Sequence, residues 1–460
     1  MSIYTQAVIA FGITLSGVSA SAQWEPGPTF PSDPEPRLHA AGVNQDGTLH
    51  AIGGSPFANP PSNDAIVHYL PDGAVQWLAG EPVEGPVVRQ GAGVDDLGRI
   101  VVFGGVDGID PEGDEGQVYV YDSIEGQYQG LADRTDTAPA DYFAWAIDAQ
   151  HRVYSIGGGP GDQASVSDPN SAHVERYIGS SDTWEVVAPL PFAVADAAAT
   201  YDGQGHILVF GGIDATATTR RTDVLVYDVA TDAWSTGVVP DIPNALSGAR
   251  AVLGADDRVY LMGGVAGSIG SATTQNSVWV LDLQSNAWLT GPSMVTERSH
   301  FAAVLGNDDF IYAMGGSNDS GGTASVEKLY TPPCPVFTDQ PDSTEAWVGT
   351  LITISATVEG GTPLTFQWQR NGVDLNDGTQ AWGDVSGSQA ATLSIAQPTP
   401  NAAGQYVLRA INPCGETLST PATLTLLEPT GLPATWQTIS LHPAWALSSN
   451  ANDLTADEQA

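Results

Sequence analysis

Six diglycines recur along this chain at a nearly constant interval, and this repeat restricts the fold more than any other feature. Their first glycines are 51 to 54 residues apart, and each pair follows a short apolar run such as HAIGG or LVFGG. An apolar run that ends in two glycines is typical of a buried strand whose end turns tightly or lies close to other backbone. A strand-bearing repeat of this length predicts a propeller or a related array. The pairs are Gly53-Gly54, Gly104-Gly105, Gly157-Gly158, Gly211-Gly212, Gly263-Gly264 and Gly315-Gly316.

Each repeat also carries the signals for four strands. A turn rich in Asp, Asn and Gly, such as NQDGT or DAQHR, precedes the apolar run and predicts a hairpin between a strand of small residues and the strand that ends in Gly-Gly. After the diglycine come a variable loop, a third strand and usually a tryptophan, as in Tyr177 with Trp184 and Tyr227 with Trp234. Four strands in each repeat predict one propeller blade.

These residues resemble the kelch repeat, whose pattern is an apolar run, a diglycine and then a spaced Tyr and Trp. The resemblance covers residues 23–332 and implies a six-bladed β-propeller. The sixth repeat reaches Tyr330 and then meets TPPCP, where proline lacks the N–H that a central strand needs. We therefore expect the segment around Trp24 to supply the outer strand of blade six, so that the N-terminal strand closes the ring.

The first 22 residues predict a secretory signal peptide that is cut before Gln23. An apolar stretch is followed by Ala20-Ser21-Ala22, although no Lys or Arg precedes the apolar stretch. With 53 acidic residues against 14 basic ones, the net charge is −39 at pH 7. Such a surface repels nucleic acid and anionic membranes, and no other stretch of the sequence is long enough to span a bilayer. We expect a secreted, extracellular or cell-surface protein.

One acidic loop is a candidate calcium site. Residues 107–116 have the sequence DGIDPEGDEG and offer several carboxylates, which are ligands that calcium prefers. Their spacing does not match an EF-hand loop. The competing interpretation is that the acidic surface serves solubility in a saline setting. No other cofactor is predicted.

The segment between the two cysteines has a different pattern. Short alternating strands such as LITISATV and GQYVLRAIN are separated by Gly, Asn and Pro turns, which predicts a small β-sandwich. Over residues 336–427 it resembles the bacterial extracellular form of the immunoglobulin-like domain. Trp368 then falls at the buried strand-C tryptophan and Tyr406 at the tyrosine corner. The two positions of the usual core disulfide fall on Ala356 and Leu408.

Cys334 and Cys414 are expected to form a disulfide, because an even pair in an exported protein is most simply a bridge. No His accompanies them in a ligand spacing, which disfavours a pair of metal-binding or catalytic thiols. The chain beyond the sandwich lacks enough apolar partners for a core of its own. The predicted organisation is all-β, with a signal peptide (1–22), a kelch β-propeller (23–332), an immunoglobulin-like domain (333–428) and a tail or incomplete further repeat (429–460).

The candidate ligand site lies where the inner strands begin. In a propeller blade the second strand ends at the face where the first strand starts, so the loops after the diglycines share one rim with these starts. The kelch resemblance implies that ligands bind on this face. An arginine-rich rim in so acidic a chain predicts capture of a carboxylate or another anion by bidentate hydrogen bonds. The candidates, 13 to 17 positions before each first glycine, are Arg37, His39, Arg89, Tyr142, Asp196, Arg250, Arg298 and His300.

A structural interpretation of the same residues stays open. An arginine just before the inner strand of a kelch repeat often bridges neighbouring blades and bonds loop carbonyls, and the candidate arginines do not share one register. His39 and His300 are alternatively packing residues at a strand start, and Tyr142 is alternatively a core or rim aromatic. Arg220 and Arg221, in the loop TTRRTD, reach the same rim and are interpreted as solvated.

The sequence contains no GxSxG elbow, phosphate-binding loop, HExxH helix or dinucleotide motif. The favoured interpretation is a non-catalytic recognition or adhesion protein that binds an extracellular protein or polysaccharide at the rim. It predicts no nucleic-acid partner and no membrane insertion, and it leaves the oligomeric state undetermined.

Two enzyme alternatives remain. A sugar-active kelch enzyme such as a sialic-acid mutarotase needs an anion-binding Arg and an acid or base such as His300 or Asp196. A galactose-oxidase-like copper enzyme is the weaker alternative. Its centre needs Tyr and His ligands with a Tyr-Cys crosslink, but the propeller segment has no cysteine and the sandwich has no histidine.

Overall fold

The computed structural model of the chain describes residues 23–28, 41–52, 65–71, 73–74, 76–83, 90–104, 118–122, 127–134, 142–159, 172–214 and 219–428. The predicted signal peptide, three candidate site residues, the acidic loop and the tail lie outside these ranges: residues 1–22, Arg37, His39, Arg89, residues 107–116 and residues 429–460. The described residues form two compact units. The first extends to Cys334 and includes Gly360–Pro363 and Asn412–Gly415, and the second holds Pro335–Glu359, Leu364–Ile411 and the chain from Glu416.

Six four-stranded antiparallel sheets make up the first unit, and each of them corresponds to one diglycine repeat. Their strands are Ala41–Gln45, Thr48–Ile52, Ala65–Leu70 and Leu78–Val83 in blade one; Gly91–Val94, Ile100–Phe103, Val118–Asp122 and Gln127–Gly130 in blade two; Ala144–Ile147, Val153–Ile156, Val174–Ile178 and Thr183–Val186 in blade three; Ala198–Tyr201, His206–Phe210, Val224–Asp228 and Ala233–Thr236 in blade four; Arg250–Leu253, Arg258–Met262, Val278–Asp282 and Ala287–Thr290 in blade five; and Ala302–Leu305, Phe310–Met314 and Val326–Tyr330 with Glu25–Pro26 in blade six.

The inner strands form a closed ring. Each inner strand contacts that of the next blade, and the inner strand of blade six contacts that of blade one. This arrangement confirms the predicted six-bladed propeller. Glu25–Pro26 pairs antiparallel with the third strand of blade six, with Glu25 opposite Lys328 and Pro26 opposite Glu327. Because the inner strands are continuous without this pairing, closure of the ring by the N-terminal strand stays a prediction.

The recurring tryptophans join each blade to the one before it. Trp184 Nε1 donates a hydrogen bond of 3.1 Å to the carbonyl of Ala132, where the chain leaves blade two. The tryptophans of the later blades do the same at corresponding places. Trp24 in the N-terminal segment makes the equivalent bond in blade six. The pairs are Trp234 with Ala188 at 2.7 Å, Trp288 with Pro240 at 2.9 Å and Trp24 with Pro292 at 2.8 Å.

The diglycines of blades four and five, and Gly316 in blade six, lie at tight places in the chain, as the sequence predicts. In blade four, Gly212 has a φ of 89°, and a Cβ atom there would be 2.7 Å from the carbonyl oxygen of Ala195. Only glycine adopts this conformation without strain and also leaves room for the neighbouring backbone. Just after Gly212, Ile213–Asp214 pairs with Val194–Ala195, which precedes the inner strand. In blade four, the residues that follow the diglycine and those that precede the inner strand therefore share one rim.

Two further short ladders belong to this rim. In blade five, Leu246–Ser247 pairs with Val265–Ser268, which in turn pairs with Ser271–Thr274. In blade six, Ser317–Asn318 pairs with Gly321–Gly322, and Ser299 bridges to Ser317.

The opposite rim of the propeller consists of the turns between inner and second strands. In blade three, Asp148 Oδ1 accepts hydrogen bonds from the backbone N–H groups of Gln150 and Arg152, while its Oδ2 accepts from the Arg152 side chain and from the hydroxyl of Tyr154. The same type of turn recurs in the neighbouring blades with an Asp at the equivalent place. We call this surface the turn rim and define it by Asp95, Asp148, Asp202, Asp256 and Asp308.

The second unit is the predicted β-sandwich. Trp368 and Tyr406 are fully buried, and the Tyr406 hydroxyl donates a bond of 2.7 Å to the carbonyl of Ala402, which confirms the tyrosine corner. Ala356 and Leu408 are buried in the same core, so apolar packing stands where the usual disulfide would be.

The strands of this unit form three sheets and a short 3₁₀ helix lies at Pro400–Ala402. One sheet contains Thr344–Trp347, Ala422–Leu427, Gly404–Asn412, Thr365–Arg370, Val373–Asp374 and Gly415–Leu418; the second contains Ile352–Ser355, Thr392–Ala396, Gly383–Ser386 and Gly378–Gln380; the third pairs Val336–Asp339 with Thr357–Glu359. Cys334 and Cys414 form the predicted disulfide, with Cα atoms 5.1 Å apart. Across the part of the chain that the structure describes, no helix has the length and hydropathy of a membrane span.

Candidate functional site

One repeat position stands out at the start of the inner strands. It lies fifteen residues before the first glycine of the blade and is occupied by Tyr142, Asp196, Gly248 and His300 in blades three to six. All four residues have positive φ, between 52° and 61°. This conformation is uncommon for any residue with a side chain other than Asn, Asp or His. The position is therefore a specific backbone site and not an ordinary strand residue.

Backbone hydrogen bonds link these four residues from blade to blade. The N–H of Asp196 donates to the carbonyl of Tyr142 at 2.7 Å, that of Gly248 to Asp196 at 2.9 Å, and that of His300 to Gly248 at 2.9 Å. The chain of bonds runs along the end of the ring of inner strands. We call this end of the ring the mouth and define it by these four residues.

At the mouth, the His300 side chain reaches across one blade to another. Its Nε2 lies 3.0 Å from Oδ1 of Asp196, although blade five separates the two residues. Gly248 leaves the space for this contact, because a Cβ atom there would be 2.7 Å from the imidazole ring. The side chains of His300 and Asp196 are 18 % and 11 % exposed. The pair is thus accessible only at its edge.

Tyr142 approaches His300 from the opposite blade. The two rings pack edge to face, with their centroids 6.3 Å apart. Since blades three and six are opposite in a six-membered ring, this contact crosses the mouth. Side chains from blades three, four and six therefore meet over the central channel.

Below the mouth, two large residues interrupt rows of small ones. In each blade, one inner-strand residue pairs with the residue that immediately precedes the diglycine. This inner-strand residue is Ala or Gly in five blades and Arg250 in blade five. The inner-strand residue that follows it is Ala or Gly in five blades and Trp145 in blade three. The rows are small because inner strands converge there: a Cβ atom on Gly42 would be 2.8 Å from the carbonyl oxygen of Ala303. The two large residues contact each other, with the guanidinium carbon of Arg250 4.6 Å from the centroid of the Trp145 ring.

Arg220 joins this group from the loop after the diglycine of blade four. Its Nε donates to Ser247 Oγ at 3.1 Å and its Nη1 to the carbonyl of Gly267 at 2.8 Å. Arg220 is therefore half-buried and held by blade five on one side, and is not fully solvated as the sequence predicts. Arg221 behaves differently, since it pairs with Asp223 at 2.8 Å and its guanidinium carbon lies 3.9 Å from the centroid of the Phe192 ring.

The charges of the site are coupled through Asp196. Burial alone would raise the pKa of the Asp196 carboxyl, but His300, Ser247 and Arg250 together hold it below its ordinary value. Burial lowers the pKa of Arg250 to about 10, although Asp196 acts to raise it. Burial also lowers the pKa of Arg220, again against the influence of Asp196. At neutral pH both arginines and the carboxylate are charged.

Arg298, another predicted site residue, lies inside blade six and not at the mouth. It is fully buried, and its Nη2 lies 2.6 Å from Oε1 of Glu327. Its Nη1 donates to the carbonyls of Gly315 and Ser325 at 2.9 and 3.0 Å. These contacts match the structural interpretation of such arginines, so we leave Arg298 out of the site. Arg37, His39 and Arg89 fall outside the described residues and stay predictions.

The sequence selected Tyr142, Asp196, His300 and Arg250 as candidate site residues, did not select Trp145 or Gly248, and placed Arg220 at the rim only as a solvated side chain. Trp145 and Gly248 had a signal in the sequence, namely that they break the pattern of their own repeat position. The position of Arg220 depends on a loop of variable length and had no such signal. Within the described ranges, no group of three His, Cys, Asp or Glu side chains has the arrangement of a metal site.

Two family profiles match the chain. Residues 144–330 match the KLHDC2/KLHL20/DRC7 Kelch-repeats domain, and residues 335–426 match the immunoglobulin I-set domain. The chain thus contains a kelch-repeat domain followed by an immunoglobulin-type domain, as both resemblances imply.

Curated relatives are similar over parts of the propeller. Mouse Kelch-like protein 36 is 35 % identical over 99 residues, which are 22 % of this chain and 16 % of the relative. Beta-scruin of Limulus polyphemus is 28 % identical over 188 residues, 39 % of this chain and 19 % of the relative. Human Kelch-like protein 38 is 30 % identical over 132 residues, 28 % of this chain and 22 % of the relative. The chain spans less than a quarter of the length of each of these proteins.

Two solved structures share the fold. The structure of YjhT superposes with a TM-score of 0.54 at 14 % identity and covers 65 % of this chain and 96 % of that chain. A fungal alcohol oxidase of the AA5 family, in complex with copper, superposes with a TM-score of 0.50 at 15 % identity and covers 88 % of this chain and 100 % of that chain. At this level of identity the likeness concerns the fold alone.

Proposed function

We propose that this protein is an exported recognition protein whose mouth binds an extracellular protein or polysaccharide without chemical change. The observation that carries the proposal is the convergence of Tyr142, Asp196 and His300 at one repeat position. Each occupies a left-handed conformation that glycine adopts without strain, as Gly248 does in blade five. Side chains retained at such a backbone position are best explained by what they contact. Kelch domains bind proteins, which also supports a recognition role.

The contacts of His300 favour binding over catalysis. Its Nε2 lies near Asp196, and its Nδ1 lies 3.2 Å from Ser299 Oγ. A general base needs a nitrogen within hydrogen-bond reach of the substrate proton, whereas both ring nitrogens of His300 already have protein neighbours. Ser299 is only 3 % exposed, so this Ser-His-Asp arrangement does not present a nucleophile.

A copper enzyme is disfavoured by the residues themselves. The copper of the fungal oxidase belongs to that protein. A centre of the kind expected from galactose oxidase needs a cysteine for the crosslink to tyrosine, and the two cysteines of this chain are bonded to each other. The donor set does not fit, and we assign no copper chemistry to the propeller.

A sugar-active enzyme such as a sialic-acid mutarotase is the second candidate function. The observation that favours it is the Asp196–His300 pair, since a histidine oriented by a carboxylate is a common acid-base arrangement. Binding and turnover are separated by one experiment. The mature full-length chain is screened against arrays of glycans and extracellular proteins, and every captured glycan is then incubated with the protein and followed by NMR for anomer exchange or cleavage.

Capture without turnover is the expected result. Turnover that is lost in the His300→Gln variant would overturn the non-catalytic proposal in favour of the enzyme. Capture that survives unchanged in an Asp196→Asn, His300→Gln double variant would place the binding surface away from the mouth.

A further inference from the structure

We infer that Arg220 and Arg250 form an anion subsite at the mouth that takes a single carboxylate carried by an otherwise neutral carbohydrate. This inference rests on the proposed function, because it names the ligand group that the mouth would recognise. It adds Arg220 to the site and assigns the anchoring role to two of the arginines near the rim.

The first support is the pairing of the arginines. Within the propeller residues that the structure describes, every other arginine has a carboxylate within 4.0 Å, whereas Arg220 and Arg250 have none. In a chain with 53 acidic residues, an arginine without such a partner is unusual. The paired arginines are Arg99 with Asp95, Arg134 with Glu175, Arg152 with Asp148, Arg176 with Glu185, Arg221 with Asp223, Arg258 with Asp256 and Arg298 with Glu327.

The second support is the use of their donors. Arg220 bonds Ser247 through Nε and Gly267 through Nη1. Arg250 donates from Nε to the carbonyl of Phe301 at 2.7 Å and from Nη1 to that of Ala249 at 3.2 Å. In each case Nη2 has no acceptor among the described residues, and neither Nη2 is a buried atom without a partner, so each meets solvent. Each guanidinium group is therefore fixed on one side and open on the other.

The third support is the position of Arg250 among small residues and against an aromatic ring. It occupies a row of Ala and Gly next to the axis of the ring, and Trp145 in the next row provides the ring on which it packs. A guanidinium group that is held on an aromatic face loses less freedom when it binds a ligand. Because both large residues depart from their rows and contact each other, we interpret Trp145 as the residue that positions Arg250.

The charge of the site sets the ligand class. Among the described residues, Asp196 is the carboxylate that interacts electrostatically with both Arg220 and Arg250, so these three groups carry one excess positive charge between them, which a single carboxylate neutralises. Guanidinium groups match carboxylates in geometry and bond them strongly. The net charge of −39 repels a polyanion, so a lone carboxylate on a neutral chain is favoured over a uniformly acidic polymer. The half-buried rings of Tyr142 and Trp145 add the aromatic surface typical of ligand sites.

The test uses the full-length mature chain and two matched probes: a neutral oligosaccharide that ends in one glucuronate, and the same oligosaccharide ending in glucose. Dissociation constants are measured by titration calorimetry for the wild type and for Arg220→Gln and Arg250→Gln. The control is Arg176→Gln, which removes an arginine that has its own carboxylate partner in blade three. We expect each test variant to bind the glucuronate probe at least about tenfold more weakly, the control to match the wild type, and the glucose probe to bind weakly throughout.

Folding is checked separately, because Arg250 also bonds two carbonyls. Thermal unfolding identifies a variant that fails to fold, and Arg220→Lys with Arg250→Lys, which keep the charge, are expected to recover part of the affinity. A Trp145→Ala variant is expected to bind the glucuronate probe more weakly and to bind the glucose probe as weakly as the wild type does. If Trp145 had only a structural role, its loss would not act selectively on the glucuronate probe.

Three results would overturn the inference. In the first, both probes bind equally, the arginine variants have no effect, and the Asp196→Asn, His300→Gln double variant loses binding. This result would reject the anion subsite and leave the proposed function standing. Equal competition by sodium acetate at the same concentration would show an adventitious ion only. No binding of either probe by the wild type would reject the carboxylate-bearing sugar, and the protein array would then test the proposed function independently.

Discussion

The two rims of the propeller are built from similar residues but in different ways. On the turn rim, an Asp in each of five blades bonds its own turn, and the contact is repeated blade after blade. At the mouth, contacts differ between blades and cross the ring, as His300 does when it passes over Gly248 to Asp196. The matched pairs show the difference most clearly. His206 pairs with Asp202 four residues away on the turn rim, whereas His300 pairs with a carboxylate 104 residues away.

The comparison indicates that the two ends of a blade have different roles: repeated contacts at the turn rim stabilise the fold, and unrepeated contacts at the mouth arrange the candidate site. A contact that every blade needs must recur in the sequence, because each repeat solves the same folding problem. A contact made once has no such reason, and at the mouth contacts of this kind join Tyr142, Asp196 and His300 across the ring. Each prediction below tests this division, in order of decreasing effect.

The largest effect is expected where a buried charge pair inside a blade is broken. Arg298→Ala leaves Glu327 as a buried carboxylate without its partner, although two backbone N–H groups still bond it. We expect a loss of about 3 to 5 kcal/mol in the free energy of unfolding, measured with denaturant. The exposed pair provides the control, since Arg176→Ala should cost less than about 1 kcal/mol. A loss below 1 kcal/mol in both variants would contradict a structural role for Arg298.

His50 tests whether departure from the repeat is enough to mark a functional site. It occupies the place of Tyr154, Tyr260 and Tyr312 in other blades, but it is buried in the middle of the second strand and is not one of the mouth residues. Burial lowers the pKa of His50 to about 4, so the unfolded chain takes up a proton below pH 6.5 before the folded chain does. The contribution of His50 to stability should therefore fall by about 3 kcal/mol from pH 6.5 to pH 4, with no further loss from this group below pH 4.

The comparison for His50 is the His50→Tyr variant, followed by denaturant unfolding at several pH values. This variant should lose that part of the pH dependence while ligand binding at neutral pH stays unchanged. The same pH profile in both proteins would show that another group is responsible.

Asp148→Ala removes one repeated contact of the turn rim. Two backbone N–H groups, the Arg152 side chain and the Tyr154 hydroxyl lose their acceptor. We expect about 2 kcal/mol of destabilisation and no change in the dissociation constant of a ligand that binds at the mouth. Weaker binding at unchanged stability would break the division between the rims.

Gly248→Ala and Gly237→Ala form the most closely matched test. Both glycines have positive φ, 61° and 70°, so each substitution should cost about 1 kcal/mol in backbone strain. A Cβ atom at Gly248 would meet the His300 ring, whereas at Gly237 nothing lies within 4 Å. Crystal structures of the two variants should show the His300–Asp196 contact broken only in Gly248→Ala. An intact contact in that variant would mean that His300 does not depend on the glycine.

The sequence predicts the repeated part of this molecule well. The period, the hairpin turns, the disulfide between Cys334 and Cys414, and the buried Trp368 all follow from residues whose physical demands are local or recur. The mouth is predicted only in part. The window of 13 to 17 residues before the diglycine includes residues whose side chains lie in different directions.

Within that window the register decides the role of each residue. The mouth position lies fifteen residues before the glycine, which selects Tyr142, Asp196 and His300. Two residues earlier, Arg298 turns into its own blade, and at two residues later Arg250 reaches Trp145. The sequence places Arg220 at the rim but does not predict its contacts with blade five, since these depend on how a loop of variable length folds. A contact made from a loop of variable length has no fixed sequence spacing that would reveal it.

The most direct test of the account compares the two His-Asp pairs. Asp196→Asn with His300→Gln removes the carboxylate and the imidazole of the mouth pair, and Asp202→Asn with His206→Gln does the same on the turn rim. Both double variants are screened beside the wild type on one array of extracellular glycans and proteins. We predict that the mouth variant binds the captured ligands at least about tenfold more weakly than the wild type, while the turn-rim variant binds them as the wild type does. Retention by the mouth variant, or equal loss by both at equal stability, would contradict it.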